Sequence, residues 1–183
     1  MNLKILNKNG KQEIIRDLNK QFGIKEIPGL IFTLGSERLF LFSGRFDSKQ
    51  IQQLERMIPI ERLGVYFAKQ EVGYIRLSIE GTQILKNQIT KNIFELTESQ
   101  AEEWMMGREL LFSDIFGSDN NLSAPKALTG GREREFRTKS KGRVLPKGFV
   151  VMKYKDNFLG CGKASAEKIG NFIPKNRRLK ERG

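Results

Sequence analysis

The sequence contains no histidine and a single cysteine, Cys161. Without histidine there can be no Ser-His or Cys-His nucleophile pair, no imidazole base and no imidazole ligand. One cysteine and no histidine exclude a conventional structural zinc site. A lone cysteine also permits no internal disulfide, which fits a reducing compartment. Long apolar runs are missing too, and none approaches the ~20 residues that a membrane helix needs. The opening MNLKILNKNGKQE has neither the apolar core nor the small-residue cleavage site of a signal peptide. These absences set the expectation of a cytoplasmic protein with no membrane contact.

Phosphate-binding fingerprints are also absent. The pattern G-x-x-x-x-G-K-[ST] does not occur. Gly160-Cys161-Gly162 does not extend to a dinucleotide-binding motif, because Lys163 to Ser165 contain no further glycine. No cofactor is expected. Glu37, Asp47, Glu71 and Asp156 are candidate general bases, but no two are recognisably placed for acid–base work, so the chain is not read as an enzyme.

What is present is cationic charge, unevenly placed. The 183 residues carry a net charge of +12 and are 38% apolar and 30% charged, enough for one large or two small globular domains. Residues 1–125 hold 16 Lys+Arg against 16 Asp+Glu, whereas residues 126–183 hold 17 against 5. A positive field at one end of a neutral body favours a polyanion bound there.

Residues 11–22 place Ile14, Ile15, Leu18 and Phe22 at helical spacing, with Gly23 to end the helix. Leu30 to Leu34 and Leu39 to Phe42 read as a hairpin around Gly35-Ser36-Glu37. Asp47 caps a second helix carrying Ile51, Leu54 and Ile58, stopped before Pro59. Leu63 to Lys69 and Tyr74 to Ile79 make another hairpin, and Gly81 to Lys86 a short helix. This is a small α+β domain with an antiparallel sheet over residues 1–88.

Ile93 to Leu96 begins a second domain, residues 89–183, as a short strand. Thr97-Glu98-Ser99-Gln100 is a capping box, and Ala101, Trp104 and Met105 share one helical face. Gly107 fits the left-handed helix end, and Arg108 to Phe112 starts a strand. Gly117 to Gly142 has weak periodicity and ends in a basic element, with Arg132, Arg134, Arg137, Lys139, Lys141 and Arg143 around Phe136. Phe149 to Tyr154 is a strand, Lys155-Asp156-Asn157 a turn, and Phe158 to Lys163 a return strand interrupted by Gly160 and Gly162. Lys163, Lys168, Lys175, Arg177, Arg178, Lys180 and Arg182 follow, interleaved with Ile169, Phe172, Ile173 and Leu179. Apolar anchors with outward cations predict a phosphate-facing edge.

The capped helix ending in Trp104-Met105-Met106-Gly107-Arg108-Glu109-Leu110, followed by Gly148-Phe149-Val150-Val151 and Phe158-Leu159-Gly160-Cys161-Gly162, resembles a PUA domain, an RNA-binding β-pseudobarrel. The ending Lys168-Ile169-Gly170-Asn171-Phe172-Ile173-Pro174-Lys175-Asn176-Arg177-Arg178 is similar to the PUA-like tail of Fmu/Sun-type and RsmF-type RNA cytosine-5 methyltransferases. With Tyr74-Ile75-Arg76-Leu77-Ser78 leading into a short helix, the whole layout resembles the two-domain Nip-type factors of large-subunit ribosome biogenesis, and archaeal stand-alone proteins of that kind in particular.

The resemblance implies a pre-PUA α+β domain followed by a PUA-like pseudobarrel, and an RNA-binding protein, with ribosomal RNA or its precursor as partner. It places Lys163, Lys168, Lys175, Arg177 and Arg178 by the RNA backbone, with Arg137, Lys139, Lys141 and Arg143 as a second basic element. Gly160 and Gly162 would let the chain approach RNA closely. Phe136, Tyr154 and Phe172 are candidates for stacking on bases, with core packing as the alternative for each. No cofactor-binding glycine loop and no Pro-Cys pair of a methyltransferase is present. The alternative reading is a protein–protein adaptor, or a trans-acting RNA-binding subunit for an RNA-modification or ribosome-assembly partner.

Overall fold

The structure, a computed structural model, describes residues 3–58, 60, 63–116, 135–137, 144–146 and 148–180. It gives the backbone alone at 3, 116, 135–137 and 144–146. The chain divides into two compact units, Met1–Lys91 and Asn92–Gly183. Both are mixed α/β, each built on a five-stranded sheet.

The first unit contains β1 (Leu3–Ile5), α1 (Lys8–Phe22), β2 (Leu30–Leu34), β3 (Arg38–Phe42), α2 (Ser48–Met57), β4 (Val65–Glu71), β5 (Tyr74–Leu77) and α3 (Ile79–Ile84). Its strands lie side by side in chain order and every pair is antiparallel. Alternation decides which face each residue takes. Phe32 and Phe40 point to one side, where Ile51 of α2 packs on them with Leu30, Leu34, Phe42 and Tyr66 around. Ile31, Leu39, Leu41, Ile75 and Leu77 are buried on the other side, against which Ile14, Leu18 and Phe22 of α1 form an i, i+4, i+8 stripe.

The helix ends follow local chemistry. Asn7 accepts from the Gly10 amide at 2.9 Å and starts α1, and Gly23 closes it with φ 82°. Asp47 and Gln50 form a reciprocal capping box on α2, with bonds of 2.8 and 2.9 Å. The outer edge of β5 is met by Gln21 of α1. Its Oε1 accepts from Ile75 N at 2.7 Å and its Nε2 donates to Ile75 O at 3.2 Å.

The second unit contains β6 (Ile93–Glu95), α4 (Glu98–Met105), β7 (Leu110–Leu111), α5 (Phe112–Phe116), β8 (Glu135–Arg137), β9 (Val144–Pro146), β10 (Gly148–Tyr154), β11 (Asn157–Ala164) and β12 (Lys168–Gly170). Its main sheet runs β6-β10-β11-β12-β7, with β6 parallel to β10 and the other pairs antiparallel. β8 and β9 form a separate antiparallel pair. Trp104 of α4 is fully buried, and its Nε1 donates to Leu159 O at 3.0 Å.

Several elements differ from the sequence expectation, among them β8 and β9, which lie where no strand was expected. Residues 108–112, expected to begin a strand, pair only at Leu110–Leu111 and then coil into α5. Residues 168–170, expected in a basic exit segment, form β12 between β11 and β7. β1 has no counterpart in the sequence reading, since three residues carry no readable period.

Candidate nucleic-acid interface

The predicted basic edge separates into residues with different roles. Lys163 lies on β11 directly opposite Phe149 of β10; it is exposed, with its Nζ 5.8 Å over the Phe149 ring. Phe149 is buried and meets Phe172 at 5.8 Å between ring centroids, and Phe172 is 37% exposed. Lys175 and Arg177 are exposed on a 3₁₀ turn, Lys175–Arg177. Lysine, guanidinium and an exposed ring therefore occur together in residues 163–177, the combination that phosphates and unstacked bases require.

The turn is held by the end of α4. Asn171 Nδ2 donates to Trp104 O at 2.7 Å and to Arg108 O at 2.9 Å, while its Oδ1 accepts from Ile173 N at 2.7 Å. Leu179 N donates to Met105 O at 2.9 Å. Residues 171–179 thus bond to carbonyls at and just beyond the end of α4, and in doing so fix where Lys175 and Arg177 stand.

Four of the expected RNA contacts also have partners or packing within the unit. Arg178 Nε donates to Ile173 O at 3.1 Å, and its guanidinium lies where a side chain on Gly107 would be. Lys168 is paired with Glu109 across the β12–β7 edge. A Cβ on Gly162 would stand 2.3 Å from Ile169 Cγ2 and 2.8 Å from Trp104 Cη2, so the glycine makes room for the core. Gly160 has φ 86° at the register shift between β10 and β11, a β-bulge that presents Leu159 O to Trp104. Arg137 has its backbone in β8, paired with Val144. Its side chain, the side chain of Phe136, and Lys139, Lys141 and Arg143 lie outside what is described.

The candidate bases have local partners. Glu37 pairs with Lys69 at 3.0 Å, Asp47 caps α2, Glu71 lies 3.5 Å from Arg76, and Asp156 sits in the β10–β11 turn. Cys161 is buried on β11. Among the described residues no cluster of three or more His, Cys, Asp or Glu could hold a metal, and no helix is long and apolar enough to cross a membrane.

Tyr154 also turns out to be engaged locally, with Lys155 Nζ 4.8 Å from its ring centroid. The hydrogen bond to Tyr154, then the charge on that side chain, raises the Lys155 pKa above its ordinary value. The charge balance resolves further when counted by unit. Residues 1–91 carry 15 Lys+Arg against 9 Asp+Glu, and residues 92–125 carry 1 against 7. The neutrality of residues 1–125 is a cancellation: α4 and its neighbours Glu95 and Glu109 are acidic, while the first unit is +6. Summation over a long window hid this, although counting by predicted domain would have found it.

A family model described as the methyltransferase RsmF PUA domain matches residues 132–179. No curated protein matches the chain. The C-terminal part is therefore PUA-like, of a kind tied to RNA methyltransferases, and RNA is the ligand class to which it points.

Proposed function

We propose that the protein binds RNA through its second unit, a PUA-type pseudobarrel preceded by a pre-PUA domain, and serves ribosome biogenesis or ribosomal RNA processing in the cytoplasm without a catalytic site of its own. The observation that carries the reading is the PUA match over residues 132–179, with Lys163, Phe172, Lys175 and Arg177 exposed inside it. The cations neutralise phosphates and release counterions, and Phe172 offers ring surface to an unstacked base. The absence of histidine supports a binding rather than a catalytic role.

The match to a methyltransferase's RNA-binding module favours one second reading: a trans-acting RNA-binding subunit, or adaptor, for an RNA cytosine-5 methyltransferase. Crosslinking in cells followed by sequencing of the attached RNA tests both. Ribosomal precursor RNA is expected under the first reading, and RNA recovered together with a methyltransferase under the second. In solution, affinity for single-stranded RNA should fall with salt at a log–log slope of about −0.7 per phosphate contact. Replacing Lys163, Lys175 and Arg177 by Gln should make that slope shallower by roughly 2. A flat salt titration of the unaltered chain would overturn RNA binding.

A further inference from the structure

Three neighbouring strands of the first unit place like charges directly opposite one another. The register pairs Arg38 on β3 with Lys69 on β4, and Lys69 with Arg76 on β5. Ile75 and Leu77 are buried on the opposite face, so all three cations share the face that carries Phe32, Phe40 and Tyr66. α2 packs on the apolar end of that face through Ile51. Arg38 is exposed, while the Lys69 and Arg76 side chains are 30% and 18% exposed.

Like charges facing each other across strands destabilise a sheet. Glu37 and Glu71 offset part of the repulsion through Lys69 and Arg76. The row still keeps a surplus cation. Strands about 4.8 Å apart bring the three side chains within ~10 Å, a span comparable with one to two nucleotide steps. Tyr66 and Tyr74, both partly exposed, lie on the same face.

We propose that this face of the first unit is a second RNA-contact surface: a single-stranded segment lays its phosphates across Arg38, Lys69 and Arg76. The sheet supplies fixed cations beside aromatic rings, the pairing that single strands use for backbone neutralisation and base stacking. The inference rests on RNA being the ligand of the chain, and its test separates the two claims.

The probe is a fluorescein-labelled oligouridylate of about 24 nucleotides, long enough to reach more than one site. Its anisotropy is followed against salt with the full chain, with an Arg38→Gln, Lys69→Gln, Arg76→Gln variant, and with a Lys163→Gln, Lys175→Gln, Arg177→Gln variant. The row variant should lose roughly tenfold to a hundredfold in affinity at low salt, with a slope shallower by about 2. An unchanged row variant beside a weakened second-unit variant would overturn this inference and leave RNA binding intact. No binding by the unaltered chain would overturn both.

Should the triple variant unfold, Arg38→Gln alone and a 4-thiouridine crosslink of the unaltered chain decide. Crosslinked peptides containing Tyr66 or Tyr74 support the surface, and crosslinks confined to residues 132–180 overturn it. Capture of poly-glutamate in place of the RNA, lost in the row variant, would assign the face to an acidic protein segment and likewise overturn it.

Discussion

Gly162 and Trp104 share one volume. The indole reaches the sheet because β11 has no side chain at that position, and a Cβ there would meet Ile169 and Trp104 well inside contact distance. Gly162→Ala should therefore destabilise the second unit by about 1–3 kcal/mol, the usual range for forcing a methyl into a packed core. Urea unfolding measures it. Undiminished stability with weakened RNA binding would instead return this glycine to the ligand. The bulge at Gly160 and the turn at Lys155-Asp156 were legible in the residues, because their cause is local backbone preference. The purpose of Gly162 was not, since the ring that needs the space lies 58 residues away in the chain.

At the scale of elements, α4 joins a readable start to an end that is not readable. Thr97 and Gln100 form the predicted capping box, with bonds of 3.0 and 3.3 Å. The far end depends on Asn171 and Leu179, whose bonds to the Trp104 and Met105 carbonyls no local pattern announces. Asn171→Ala leaves the Trp104 and Arg108 carbonyls without this donor, and should cost about 1–3 kcal/mol. Arg178→Ala should cost about 1 kcal/mol through its bond to Ile173 O, whereas Lys175→Ala should stay within roughly 0.5 kcal/mol and act on RNA affinity instead. Paired measurements of unfolding and RNA binding separate the two kinds of cation. The hairpins of the first unit were legible because alternation and turn residues agree. β1, β7 and β12, of three, two and three residues, are too short to show a period and take their strand character from neighbours.

The molecule as a whole carries +6 on each unit, the second as a sum of an acidic segment and a strongly basic one. With no histidine, its charge is nearly constant across neutral pH. Carboxylates titrate near 4 and lysines near 10 when unperturbed, and the raised pKa of Lys155 lies further outside that window. RNA affinity at fixed salt should therefore change less than about twofold between roughly pH 6 and pH 8. A steep change in anisotropy titrations over that range would mean that proton uptake is coupled to binding. The cationic character of the C-terminal stretch was visible from composition. Which of its charges also hold the fold was not, because that depends on Glu109 and Ile173 as partners.

One amide remains. Gln21 offers β5 a donor and an acceptor at the spacing of a neighbouring strand, and so occupies hydrogen-bonding groups that another polypeptide could otherwise recruit. A glutamine reaching out of a helix thus works as a one-residue stopper on that side of the sheet, discouraging uncontrolled polymerisation there without adding a further strand.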